Sequence, residues 1–214
     1  MFKKIIAITF LVFGLTTNLY AQDIFDDRSH LKGFIDKYQE VPKEILLEMI
    51  KDDTLTDFKT AAAVNVFKET YGPEVVSKEK KRVEKILVKR LKDTSSPFVQ
   101  VEIIGTLIQI DRYKYFKAMV PLLISKLNHY NEVVTDMAYE NLDEIIKNGN
   151  DRPREARIVF NTLRKVLFLS RKRLATIETP DQKLTNKLEL VRWSIKVLGN
   201  EYLQKLPNEA LNLL

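Results

Sequence analysis

The sequence predicts an all-α fold of stacked, antiparallel helical hairpins, and three observations carry this. Apolar residues recur at spacings of three and four, and no stretch alternates with period two for long. Prolines and glycines fall between these periodic stretches, where helices start and stop. Corresponding positions repeat: Phe58 and Phe98 are 40 residues apart, and Phe98 and Val133 are 35 apart. Such a period marks helical pairs that cannot bury their apolar faces alone and must stack. An irregular helical bundle is the alternative.

Residues 1–21 read as a secretory signal peptide. Met1-Phe2-Lys3-Lys4 is basic, Ile5 to Leu15 is almost wholly apolar, and Ala21 is a small residue before Gln22-Asp23. An apolar run of about 11 residues is too short for a bilayer that needs about 20. Leu19 is large for its place before a cut after Ala21, and an uncleaved anchor is the alternative. Removal of this leader takes away Lys3 and Lys4 and lowers the formal charge from +6 to +4. No later segment is apolar enough to cross a membrane, so the mature chain reads as exported and soluble.

Residues 22–41 form an acidic lead-in with a helix near 28–38. Residues 42–199 form the repeat region. Pro42 opens a helix near 42–52, and the Ala-rich stretch 57–71 closes at Gly72-Pro73. A helix follows near 78–93. Ser96-Pro97 supplies an N-cap and a first-turn proline for 97–110. Helices near 113–129 and 131–148 come next, with Gly149 as a stop. Pro153 opens 153–175. Thr179-Pro180-Asp181-Gln182 reads as an N-cap, a first-turn proline and a capping-box glutamine before 181–199, which stops at Gly199. Residues 200–214 form a short capping helix or tail. Connections of two to eight residues make neighbours antiparallel. Ala61, Ala62, Ala63 and Ala138 are expected at close helix contacts.

The composition excludes several classes of function. The chain is 45% hydrophobic, too much for a disordered protein. It has no Cys, which rules out disulfides, Cys-ligated zinc, iron–sulfur clusters, cysteine catalysis and a lipoprotein anchor. His30 and His129 are the only histidines, and the six glycines are scattered, so no Gly-rich phosphate loop is present. Asp26-Asp27 and Asp52-Asp53 lack the spacing of a calcium loop and read as turns or caps. His129 is placed at a helix end, where a positive charge suits the dipole. No G-x-S-x-G elbow occurs. No catalytic, cofactor-binding or metal-binding residue is assigned.

Met119-Val120-Pro121-Leu122-Leu123 with Leu127, Asp93 in a turn, and Val191-Arg192 before Val197-Leu198-Gly199 resemble the unit of HEAT-type helical repeats. The resemblance covers about residues 42–199 and is degenerate: the family's arginine slot holds Lys59, Gln100 and Thr135 in the other units. It implies an α-solenoid of about four hairpins and a protein-binding surface, with no catalysis and no particular partner.

Two basic stretches are candidate binding faces. Lys78–Lys92 holds eight basic residues against two acidic ones. Val83, Ile86, Leu87 and Leu91 share one helical face, and Lys81, Lys85, Lys89 and Lys92 lie opposite. From Arg152 to Arg173 there are six Arg and two Lys against one acid, Glu155. Arg157, Arg164 and Arg171 are seven apart and form a stripe. Arg154, Lys165 and Lys172 flank it, and Phe168 projects beside it. Guanidinium forks pair bidentately with carboxylate and phosphate. Both faces can equally be solvated or paired to acids within the chain. Tyr113, Tyr115 and Phe116 are expected to wedge between hairpins.

These features imply an exported, non-enzymatic binding or scaffold protein of the cell envelope, located in the periplasm. Its partner would be a protein with an acidic surface, and peripheral contact with an anionic envelope surface is compatible with the same ridges. The alternative is a self-assembling structural component, because acidic residues dominate up to Asp57 and basic ones the middle. An enzyme of unknown type comes third. Nucleic acid is excluded as a partner by export, modest charge and the lack of an aromatic-rich basic motif. No cofactor is implied.

Overall fold

The structure is a computed structural model that describes residues 27–75, 77–147 and 152–214. The expected signal peptide lies outside the described residues, as do Asp23, Asp26 and Gly149. Among the described residues all regular structure is helical, with no strand. The helices are α1 (27–38), α2 (Lys43–Lys51), α3 (Asp57–Tyr71), α4 (Ser77–Asp93), α5 (Pro97–Ile110), α6 (Arg112–Lys126), α7 (Glu132–Lys147), α8 (Pro153–Leu174), α9 (Gln182–Leu198) and α10 (Asn208–Leu211). Short 3₁₀ turns at Gly72–Glu74 and Asn200–Lys205 complete the chain.

Local chemistry sets these ends. Pro97 and Pro153 occupy first-turn positions, where a missing N–H costs nothing. Asp111 Oδ1 accepts from Lys114 N at 2.9 Å and so caps α6. Asn131 Oδ1 accepts from Val133 N at 2.9 Å at the start of α7. Asp52 Oδ1 accepts from both Thr54 N and Thr54 Oγ1, the turn expected of that acid pair. Gly199 ends α9 at φ 106°, a conformation side chains disfavour.

Two sequence readings are corrected. The cap of α9 is Asp181, whose Oδ1 accepts from Leu184 N at 2.7 Å, and Thr179-Pro180 stay outside the helix. The carboxylate is the stronger cap and moves the cap two residues beyond Thr179, while the helix itself starts at Gln182, one residue past the expected 181. Ser96 takes the N-cap position of α5, but its buried hydroxyl makes no capping bond.

The helices pair in sequence, α2 with α3, α4 with α5, α6 with α7 and α8 with α9. Odd-numbered helices also pack in succession, α3 on α5, α5 on α7 and α7 on α9, while α2 packs on α4 and α6 on α8. Ion pairs Lys80–Asp111 (2.6 Å) and Lys114–Glu84 (2.5 Å) tie α4 to the start of α6. Helix α5 is central: Val99 and Val101 to Ile108 are all buried, so the helix shows little amphipathic contrast. Helix α1 runs past the odd helices. Arg28 pairs with Asp136 on α7, and Phe34 lies under the Lys59 ammonium of α3. At the far end, Tyr202 meets the buried Phe160 edge-on at 5.1 Å.

Ala61, Ala62, Ala63 and Ala138 are completely buried, as their size and spacing implied. Ala62→Leu inserts three carbons where helix axes approach, and is expected to cost about 1–3 kcal/mol through overpacking. A urea melt tests this, and an unchanged midpoint would show that space exists there.

Candidate functional site

Helix α8 sorts its residues cleanly. Ala156, Val159, Phe160, Leu163, Leu167 and Leu174 are buried. Glu155, the lone acid of the stretch, also turns inward. Arg112 binds it through Nε at 2.9 Å and Nη2 at 2.6 Å, and Arg152 adds a contact at 3.3 Å. The outer face is therefore left without an acid of its own helix. Arg157 and Arg171 are exposed and Arg164 is half-buried, and none of the three pairs with a carboxylate. The Arg164 guanidinium stacks over the Phe168 ring at 5.6 Å, and Arg171 Nη1 donates to the Phe168 carbonyl at 3.5 Å. Lys165 and Lys172 stand exposed and unpaired beside them. Phe168 is 37% exposed and Leu169 is 90% exposed. The structure thus brings together an unpaired arginine stripe and two bare apolar side chains. Leu169 was missed in the sequence, although its angular position, opposite the buried face, was available there.

On α4, Val83, Ile86 and Leu87 are buried. Lys81, Lys85, Lys89 and Lys92 are exposed and unpaired, as their helical positions implied. The remaining visible cations divide. Lys80 and Arg82 pair with Asp111 and Glu44. Arg90 is only 8% exposed and lines a cleft of about 600 Å³ between α4 and the end of α2. Arg90 is seven residues from Val83, which already placed it on the buried face.

A second cleft of about 560 Å³ lies between the α6–α7 loop, α8 and the start of α9. His129 lines it, three residues beyond the end of α6, and its Nδ1 accepts from Asn131 N at 3.1 Å. Burial pushes the His129 imidazole below its ordinary value, aided by Lys126 and Lys183 nearby. An Nδ1 that accepts from Asn131 N carries no proton, so in this arrangement the ring lacks the positive charge suited to that helix end. Because the folded pKa is depressed, the unfolded chain binds the proton first as pH falls below about 6.5. Stability contributed by the neutral ring is lost in that window. Wild type should therefore lose more of its Tm between pH 7 and about pH 5 than a His129→Gln variant does. Calorimetry at both pH values checks this, and parallel losses would contradict it. Lys187 lines the same cleft, donates to Asn128 Oδ1 at 2.5 Å, and is pushed down by burial.

A buried polar node joins the odd helices. Lys68 of α3 donates to Asn141 Oδ1 of α7 at 3.1 Å and lies 3.5 Å from both Glu102 of α5 and Glu144 of α7. Burial alone would lower the Lys68 pKa, but Glu102, Glu69 and Glu144 raise it on balance. The charged form is thereby kept. The node lines a cleft of only about 180 Å³ and ties α3, α5 and α7 together.

The aromatic triplet divides: Tyr115 and Phe116 are buried, whereas Tyr113 is 87% exposed. Tyr113 stands in the first turn of α6, at the open end of the helix, and the buried face begins at Tyr115. Val191-Arg192 lies in the middle of α9 rather than at its start, and Arg192 donates to the carbonyls of Leu213 and Leu214. Among the described residues no cluster of acids and histidines is arranged to hold a metal ion, and no helix is long and apolar enough to cross a membrane. No protein family, curated protein or solved structure matches this chain.

Proposed function

We propose that this chain is an exported, non-enzymatic binding protein of the cell envelope that engages the acidic surface of a partner protein through the outer face of α8. The observation that carries this is the set Arg157, Arg164 and Arg171, unpaired with any carboxylate, around exposed Phe168 and Leu169. Like charges held together repel, and an acidic partner relieves that repulsion. The apolar pair supplies an anchor whose burial adds affinity. Export rests on the basic, apolar, small order of residues 1–21.

The architecture suited to this role is a HEAT-type α-solenoid. Its support is the succession of contacts α3 on α5, α5 on α7 and α7 on α9, together with the repeat spacing. Self-assembly through an acidic start finds less support. Asp27, Glu44, Glu48 and Asp52 are engaged within their own chain, by Asn131, Arg82, Lys51 and Thr54. Charge reversal of the three arginines is the test, read by capture of partners from envelope extracts.

A further inference from the structure

We propose that the cleft between α2 and α4 is a binding site for the phosphate group of a soluble phosphate monoester. Arg90 is more than nine-tenths buried, its Nε is enclosed without a hydrogen-bond partner, and no carboxylate pairs with its guanidinium. An arginine cannot shed its proton to escape burial, so an unpaired buried guanidinium is destabilising unless an anion meets it.

The protein does not supply that anion. Asp52 is near enough for its carboxyl to be lowered by Arg90, but its stronger interactions are with Thr54. Asp53 and Asp93 also line the cleft, and neither reaches a cation. Against these two acids stand Lys85, Lys89 and Arg90, all unpaired, with Lys51 and Arg82 at the same walls. Lys51 and Arg82 already pair with Glu48 and Glu44, so the uncommitted charge is positive and centred on α4.

This arrangement selects among anions. A carboxylate carries one charge and two oxygens, and leaves most of the cluster uncompensated. A phosphate monoester carries close to two charges and three free oxygens, enough for a forked guanidinium contact and two ammonium contacts. The volume of about 600 Å³ exceeds what a phosphate alone fills and leaves room for the attached body, with Ile86 as an apolar part of the wall. The site lies on a different helix from the proposed partner surface, so each can fail without the other.

The test uses the full mature chain, with calorimetric titration by glycerol 3-phosphate and thermal melts in inorganic phosphate or in acetate at equal ionic strength. Phosphate is expected to raise the wild-type Tm and acetate is not. Arg90→Met should raise the Tm in phosphate-free buffer, because an unpaired buried charge is removed, and should abolish the response to phosphate. A Lys85→Ala/Lys89→Ala double variant alters only exposed side chains and should weaken glycerol 3-phosphate binding at least about tenfold. Absence of binding by wild type, equal stabilisation by acetate and phosphate, or an Arg90→Met variant that melts early and still responds to phosphate would each overturn the assignment. So would unchanged affinity in the double lysine variant.

Discussion

Gly105→Ala is expected to destabilise the fold by about 1–3 kcal/mol, by displacing Asn141 from the Lys68 node without touching a charge. A Cβ on Gly105 would meet Asn141 Oδ1 at 1.9 Å and Asn141 Cγ at 2.8 Å. Asn141 must then swing away. It is held in place by its own donation from Nδ2 to the Met137 carbonyl at 2.9 Å, and its oxygen is the acceptor for Lys68 Nζ. The Lys68 side chain is only 6% exposed, so loss of that acceptor leaves one buried N–H without its partner, although Glu69 at 3.1 Å and Glu102 and Glu144 at 3.5 Å still hold the charge. Gly33→Ala is the control, because nothing lies within 4 Å of a Cβ there. Urea unfolding of both variants reads the difference. Equal midpoints would show that Asn141 has a second home and that the node tolerates its loss.

Reversal of charge at Arg157, Arg164 and Arg171 is expected to weaken partner binding by about 100-fold or more while leaving the helix content and Tm close to wild type. Each lost contact to an acidic surface is worth on the order of 1 kcal/mol at a partly exposed site, and each new glutamate adds repulsion. The fold should persist because Arg157 and Arg171 are exposed, Arg164 is half-buried, and none of them pairs with an acid of the chain. Binding of wild type should weaken as salt rises, since rim charges are screened over about 10 Å at 0.1 M. Circular dichroism and quantitative capture on the same preparations separate loss of binding from loss of fold.

Helix positions were legible because the periodicity and the breakers agree. Pro97, Pro153 and Gly199 fixed boundaries that the structure keeps. The triple alanine of α3 announced a close contact. The outer face of α8 was legible for the same reason: a seven-residue spacing keeps arginines on one side of any helix. What a linear reading missed depends on contacts between distant positions. Glu155 counted as an acid among the basic residues of α8, yet Arg112, 43 residues earlier, draws it inward. Lys68 and Asn141 are 73 positions apart, and no local pattern connects them. The cap of α9 was assigned to Thr179 because two capping signals overlap, and only geometry decided for Asp181. Arg90 sat in plain view at a buried heptad position, and its charge obscured that placement.

The central claim is that the outer face of α8 is the partner surface. A photo-crosslinking amino acid placed at Leu169, beside the arginine stripe, tests it most directly when compared with one at Lys196, exposed on α9. Irradiation of intact cells should yield a covalent adduct with one partner protein from position 169 and none from position 196, and the adduct should vanish when the three arginines are reversed. Adducts from position 196 alone, or adducts from position 169 that survive charge reversal, would contradict the account.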